Sequence, residues 1–377
     1  MKNVKQSSYI PAVDFWKFIF SIVIMCYHAN KMSGLADVDF FKKGFILVEF
    51  FFMVSGFFMA KSLYALKEKP IKSLGNETWN FTLKKASKIY IPYLVAFVIH
   101  FVIRMVIENV NIKDMLIEAS LSVRELTLTY SSGIITGRFH NGPTWYISAM
   151  ILGMFILYPI LRKYYDTFSK VIAPFFALFI YAFLQHQHKS INLSSHFGEI
   201  MCLGFLRGVC ALSIGIFIFQ LVRKATNSKI TLNVAGKGVL LIFEFLIVAY
   251  LLLITFHKRF SSHEFQYFAV ILQGVLVFIL FYNPVKISNK FIINVCKKLG
   301  ELSLYIYLNH RIWTRVLETA VVDEGWGRKQ LLVVYFGLTA VSVIVSWVIT
   351  FVLEKFKPSF YSLLKKIFTK KETATEK

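Results

Sequence analysis

Residues 13–28 read VDFWKFIFSIVIMCYH, an apolar run that holds the ionisable side chains of Asp14, Lys17 and His28. An ionisable group inside an apolar segment is costly, so each one is a candidate functional residue. Lys17 and His28 are eleven residues apart, which is close to three helical turns and puts both within about 20° of one helix face. Asp14 lies on the same stripe. The spacing therefore predicts one helix, with an acid–base pair near one end and a histidine about 16 Å further along.

Two interpretations of this helix stay open. In the first, Asp14 and Lys17 form an ion pair at the membrane interface, Lys17 extends its ammonium group to water, and His28 caps the helix end. In the second, the three side chains belong to a reaction site, in which His28 is the group that titrates closest to neutral pH.

The composition around this helix is that of a membrane protein. Of the 377 residues, 56% are hydrophobic, whereas soluble domains contain about 45–50% apolar residues. This excludes a disordered chain, a collagen-like repeat and an ordinary cytosolic domain. The predicted fold is an all-α polytopic membrane protein with about ten transmembrane helices. The predicted helices are at roughly 11–30, 44–62, 87–107, 143–161, 170–185, 200–222, 237–256, 265–283, 300–320 and 331–354.

The distribution of charge predicts the orientation in the membrane. Lys and Arg number 43 against 21 Asp and Glu, a net charge of +22. In a soluble protein this excess would suggest nucleic acid. Here the cations concentrate in alternate loops, so the positive-inside rule explains them better and predicts cytoplasmic N- and C-termini. We expect a transmembrane domain at 1–360, a charged cytoplasmic tail at 361–377, and an amphipathic interfacial or re-entrant segment in the outside loop 108–142.

No metal site or disulfide framework is expected. The four cysteines form no close CxxC pair, which argues against both disulfides and a thiolate site. His186, His188 and His196 fall in an outside loop without a nearby carboxylate pair, which favours a solvated loop.

The first two apolar segments resemble the membrane acyltransferase-3 family, which acylates sugars, glycans and related acceptors. Asp14, Lys17 and His28 match the family's Asp-x-x-Arg stretch and the histidine eleven residues after its Arg, with Lys in place of Arg. The second segment, GFILVEFFFMVSGFFMA, is similar to an acidic-x-Phe-Phe-x-x-Ser-Gly-Phe pattern. Glu49 and Ser55 occupy it, with one additional residue between them.

Four later segments resemble the same family in the same order, which extends the resemblance over most of the chain. They read KKASKIYIPYL, TWYISAMILGMFILYPIL, LRGVCALSIGIF and GELSLYIYLNH. The residues that match are Lys85, Lys88, Pro92, Trp145, Pro159, Arg207, Gly215, Gly300, Ser303, Tyr307 and His310. Lys again stands where the family usually has Arg, and it provides a point charge without the bidentate fork of Arg.

The resemblance implies an integral O-acyltransferase of the bacterial plasma membrane. It favours transfer of an acetyl group from acetyl-CoA, as a co-substrate and not a bound cofactor, to a sugar hydroxyl of a cell-surface or extracellular polysaccharide or its precursor. The expected catalytic residues are His28, Lys17, Glu49 and Ser55. The lysines expected to bind the donor are Lys84, Lys85 and Lys88, called here the lysine triplet. The residues expected to bind substrate are Asp14, Trp145, Arg207 and His310.

Acyl transfer needs a base for the hydroxyl proton and donors for the developing oxyanion. His28 would be the base, and Lys17, Ser55 or a backbone N–H beside Gly56 would be the donors. Glu49 either orients His28 or Lys17 across a helix pair, which is slightly favoured, or pairs with a cation in the bundle. Ser55 and Gly56 also fit a packing patch of small residues.

Other residues have alternatives as well. Trp145 lines a pocket or belongs to the aromatic belt. Arg207 lies within an apolar segment and needs an acidic partner, for which Glu199 is a candidate. His310 either shapes the site or has no role. His140 is favoured as an interfacial residue without a role. The lysine triplet also fits a purely topological signal.

Two other functions remain open. A non-catalytic glycan or lipid translocator would need a polar pathway but no base, and an acyltransferase could instead use a peptide, an antibiotic or a lipid as acceptor. The expected partners are acyl-CoA, a carbohydrate acceptor and the lipid bilayer, without nucleic acid. A homodimer is left open.

Overall fold

The computed structural model describes residues 9–30, 32, 35, 41–133, 140–192, 196–197, 201–228, 232–256, 262–283, 287–321 and 326–355. The predicted tail 361–377 and Glu199 lie outside these residues. The helices are α1 Pro11–Ala29, α2 Val48–Tyr64, α3 Leu74–Ile107, α4 Ile112–Leu121, α5 Val123–Leu126, α6 Trp145–Lys163, α7 Tyr165–Thr167, α8 Ala173–His188, α9 Leu203–Asn227, α10 Val234–Phe256, α11 His263–Tyr282, α12 Lys290–Asn309, α13 Arg311–Val321 and α14 Arg328–Lys355. The other described elements are short. Three 3₁₀ turns lie at Gly44–Leu47, Tyr130–Ser132 and Gly142–Thr144, and a π-helical turn lies at Phe168–Ile172. Two two-residue strands, β1 His196–Phe197 and β2 Met201–Cys202, form an antiparallel pair.

The all-α polytopic fold is confirmed. Within the described ranges, nine helical segments are long and apolar enough to cross a membrane: Pro11–Ala29, Gly44–Tyr64, Leu74–Ile107, Gly142–Lys163, Tyr165–His188, Leu203–Asn227, Val234–Phe256, Glu264–Tyr282 and Arg328–Lys355. α12 also has 20 residues, about 30 Å of helix, but its first half carries several charges.

Two predicted segments differ from the observed helices. The segment predicted at 300–320 is divided at His310, where α12 ends and the short amphipathic α13 begins. The segment predicted at 87–107 is a 34-residue helix that begins at Leu74. The prediction missed the first half of this helix because that half is polar. Its N-terminus is capped by the Ser73 side chain, which accepts a hydrogen bond from the backbone N–H of Asn76.

α2 and α9 form the centre of the bundle. A Cβ on Gly56 would lie 2.1 Å from the backbone oxygen of Leu212, and one on Gly215 would lie 2.0 Å from that of Met53. Only glycine permits such close backbones, which is a common way for helices to associate in membranes. α6, α8 and α11 pack around α9.

α1 and α12 pack side by side, and they run parallel, because Asp14 lies against Gly300 and His28 against His310. Near one end, the Asp14 side chain lies so close to Gly300 that a Cβ there would clash with it. Near the other end, the rings of His28 and His310 are neighbours. The packing of α1 against α12 therefore places the C-terminal ends of both helices side by side.

The loop between α3 and α6 contains the expected amphipathic segment. In α4, the apolar side chains of Ile112, Leu116, Ile117 and Leu121 are exposed, whereas Glu118 is buried. An exposed apolar face next to a membrane-spanning helix is typical of an interfacial helix.

Candidate active site

A cavity of about 690 Å³ lies at the end of α1 that carries His28. Residues from α1, α3 and α13 line it together with the segment that leads into α6. The lining residues are His28, Arg104, His140, Gly142, Pro143, Trp145, Arg311, Ile312, Arg315 and Glu318. Its volume lies within the range of about 300–1,000 Å³ that is usual for small-molecule sites.

His310 is held next to His28 in a defined tautomer. The two ring centroids are 4.9 Å apart. His310 Nδ1 lies 2.9 Å from the carbonyl oxygen of Ile306, which only accepts, so Nδ1 carries the proton in the neutral ring. Nε2 is then a lone-pair acceptor, and this buried atom has no hydrogen-bond partner among the described residues. The site thus places two imidazoles side by side at the junction of α1, α12 and α13.

His140 forms part of the cavity wall, although the sequence favoured no role for it. Arg104 only donates, so its Nη1 donates to His140 Nδ1 at 3.1 Å. His140 Nε2–H therefore donates to Ser122 Oγ at 2.9 Å. The ring is fixed on both sides and buried.

The carboxylate of Glu125 anchors the segment that carries His140. Its oxygens accept from the backbone N–H groups of His140, at 2.7 Å, and Asn141, at 3.0 Å. Burial raises the pKa of the Glu125 carboxyl, and these two donors offset part of that rise. Asn141 Nδ2 also donates to the carbonyl oxygen of Leu308 at 2.8 Å, which ties the segment to α12.

Lys17 and Asp14 lie away from this cavity. They form an ion pair at 3.1 Å, about 16 Å from His28 along the α1 axis. Neither is among the cavity-lining residues. Lys17 also acts electrostatically on Lys85 of α3, so the two share one end of the bundle.

Glu49 pairs with Arg207 in the centre of the bundle. Both oxygens of its carboxylate accept from the Arg207 guanidinium, and both side chains are buried. The structure therefore places Glu49 against a cation of the bundle. The sequence had slightly favoured a place beside His28 or Lys17 instead. The Arg207 guanidinium carbon lies 5.4 Å from the centre of the Trp145 ring, so this buried pair supports a residue of the cavity wall.

One protein-family model matches almost the whole chain. The model described as an acyltransferase domain, of the acyltransferase-3 family, matches residues 10–351. The chain belongs to the membrane acyltransferase-3 family. No curated protein and no solved structure is similar enough to count as a match. The resemblance carried by the sequence motifs is confirmed, and the protein is a membrane acyltransferase.

Ser55 of this acyltransferase-3 protein lies between α2 and α6. Its hydroxyl donates to Met150 Sδ at 3.4 Å, and it is not among the residues that line the cavity with His28. The adjacent Gly56 makes the close contact with α9. The geometry thus favours the packing interpretation for Gly56, whereas a catalytic role for Ser55 stays a prediction.

The three lysines of the lysine triplet differ in their exposure to solvent. Lys84 is exposed and lines a second cavity of about 540 Å³ together with Lys69 and Lys72. Lys85 is half-buried, with its ammonium group 5.8 Å from the centre of the Phe81 ring. Lys88 lies four residues after Lys84, one helical turn further along, and is exposed.

Arg104 and Arg311 are cavity residues that the sequence analysis did not select. Arg104 lies inside an apolar segment, so the rule that intramembrane charges are functional candidates would have found it. Arg311 follows His310 directly, but only the division of the helix at His310 turns it towards the cavity.

Proposed function

We propose that this membrane acyltransferase transfers an acetyl group from acetyl-CoA to a sugar hydroxyl of a cell-surface or extracellular polysaccharide, or of its precursor. We also propose that it acts in a bacterial plasma membrane with both termini in the cytoplasm. The observation that carries the proposal is the position of His28, in a cavity of ligand size and beside His310.

In the proposed reaction, His28 takes the proton of the acceptor hydroxyl while its oxygen attacks the thioester carbonyl carbon. The carbon–sulfur bond then breaks, the CoA thiolate leaves and receives the proton, and an ester and free CoA result. A neutral imidazole suits this role because its pKa lies near neutral pH. Arg104, which lines the cavity, supplies positive charge for the developing oxyanion.

The proposed donor enters at the opposite end of the bundle. Lys84, Lys69 and Lys72 surround the second cavity, and lysine binds phosphate as a point charge. The high density of lysine at this end, which the positive-inside rule assigns to the cytoplasm, supports acyl-CoA as the donor.

Complementation of a deletion strain tests the proposal. Surface glycan from cells that express wild type, His28→Ala or His28→Gln is compared by NMR for O-acetyl groups, at matched protein levels in the membrane. Because general-base catalysis contributes about 10²–10⁴-fold, both variants should lose nearly all acetylation. His188→Ala, an exposed histidine at the end of α8, is the matched control and should keep it.

Purified protein in nanodiscs separates catalysis from stability. CoA release in the presence of acceptor is measured per folded molecule, together with the melting temperature. Normal turnover in His28→Gln would contradict the proposed base and assign the proton transfer to another group. An equal O-acetyl content in wild-type and deletion cells would contradict the glycan acceptor.

A further inference from the structure

The guanidinium of Arg311 lines the cavity that contains His28, and it differs from most other arginines of the bundle. Among the residues that the structure describes, ion pairs with a carboxylate are formed by Arg104, Arg162, Arg207 and Arg315. Arg311 donates instead to the hydroxyl of Thr314 on its own helix. In the described part of the chain it has no ion-pair partner.

This arrangement leaves a half-buried positive charge beside the reaction site. Burial lowers the pKa of the Arg311 guanidinium, but arginine does not lose its proton in proteins. The charge therefore persists, and its burial is costly unless an anion meets it.

The other charged groups of the cavity do not fill this role. Glu108 binds both Arg104 and Arg315. Glu318 lies two turns after Arg311 and attracts it, but its side chain is exposed and forms no ion pair with Arg311. The lining holds three arginines against one carboxylate, that of Glu318. Even with Glu108 beside the cavity counted, the arginines are in excess, so with its histidines neutral the cavity carries a net positive charge.

We propose that Arg311 binds a carboxylate or phosphate group of the sugar acceptor and thereby places the acceptor hydroxyl beside His28. This inference rests on the proposed function and adds the chemical class of its acceptor, an anionic glycan. The planar fork of arginine matches both anions with two parallel hydrogen bonds. The acceptor is favoured over CoA as the source of the anion because the lysines proposed to bind the CoA phosphates line the second cavity, at the opposite end of the bundle.

Ligand-dependent thermal stability tests the inference without any acyl transfer. The full-length protein in phosphatidylcholine nanodiscs is melted with glucuronate, glucose 6-phosphate or glucose. The two anions should raise the melting temperature and glucose should not, because ligand binding to the folded state stabilises it. Arg311→Gln should weaken anion binding about 10–100-fold, since it removes a charge-assisted hydrogen bond.

Two further variants keep the test falsifiable. Lys113→Gln removes an exposed cation from α4, outside the cavity, and should keep the response to anions. Arg311→Lys keeps the charge without the fork and should bind the anions more weakly than wild type while melting normally without ligand. Equal responses to glucose and glucuronate, or an unchanged response in Arg311→Gln, would overturn the inference.

Steady-state kinetics distinguish the acceptor from the donor. In Arg311→Gln the KM for acetyl-CoA should stay at the wild-type value, whereas the preference for glucuronate over glucose in CoA release should disappear. A raised KM for acetyl-CoA with an unchanged acceptor preference would assign the anion to the donor and overturn the inference. Anion-selective binding without any acetyl transfer would instead contradict the proposed function and support the anion site.

Discussion

Replacing Glu49 tests whether its interaction with Arg207 holds the bundle together. The side chains of Glu49 and Arg207 are 0% and 2% exposed. Arg207 also donates from Nη1 to the carbonyl oxygen of Ile191 at 2.9 Å and from Nη2 to that of Phe45 at 2.7 Å. Glu49→Leu leaves these two neutral acceptors but removes the carboxylate from a buried guanidinium.

The expected loss of stability is large. Removal of one member of a buried ion pair costs about 3–5 kcal/mol, because the other charge stays buried without compensation. Since about 1.4 kcal/mol corresponds to a factor of ten, the folding equilibrium should fall by about two to three and a half orders of magnitude. Arg207→Met should cost a similar amount. The double variant should recover most of the loss, because apolar side chains often replace a buried ion pair at little cost.

Unfolding of the purified protein by increasing SDS in mixed micelles, followed by circular dichroism, measures the three free energies of unfolding. The exposed ion pair of Asp166 and Lys170, with side chains 40% and 50% exposed, provides a control cycle, although Asp166 also binds Lys67. Substitution of either of its members should change the free energy of unfolding by about 0–1 kcal/mol. A cost below about 1 kcal/mol for Glu49→Leu, or strictly additive single variants, would refute the reasoning. A stable but inactive Glu49→Leu would return Glu49 to the catalytic role implied by the family resemblance.

Three other predictions concern packing, donor binding and orientation. Gly215→Ala should lower the free energy of unfolding by about 1–3 kcal/mol or more, because its Cβ would lie 2.0 Å from a backbone oxygen. The control Gly337→Ala meets nothing within 4 Å and should be neutral or stabilising. Substitution of the whole lysine triplet by glutamine should raise the KM for acetyl-CoA in the CoA-release assay, and exposed Lys290→Gln should not. A membrane-impermeant maleimide added to intact cells should label Lys113→Cys but not Glu68→Cys. The background labelling should be low, because the four native cysteines are buried. The reverse labelling pattern would invert the proposed orientation.

Composition and spacing along the chain were enough to predict the membrane class and the stripe of α1, and the resemblance of six sequence motifs indicated the family. Apolar segments of about 20 residues predict helices, because a helix satisfies its backbone hydrogen bonds within one membrane-spanning segment. The Lys17–His28 spacing predicts a shared face because helical geometry depends only on residue number. His28 was selected on this basis, and it lies in the cavity.

The partners of these side chains depended on contacts between helices distant in sequence. Glu49 and Arg207 are 158 residues apart, and nothing in the local sequence of either residue specifies the other. The sequence favoured His28 or Lys17 as the neighbour of Glu49, but the close approach of α2 and α9 at Gly56 and Gly215 brings Arg207 there instead. The end of α12 likewise places His310 beside His28 and turns Arg311 into the same cavity. Helix periodicity specifies the face on which a side chain lies, whereas the packing of whole helices decides what that face contacts.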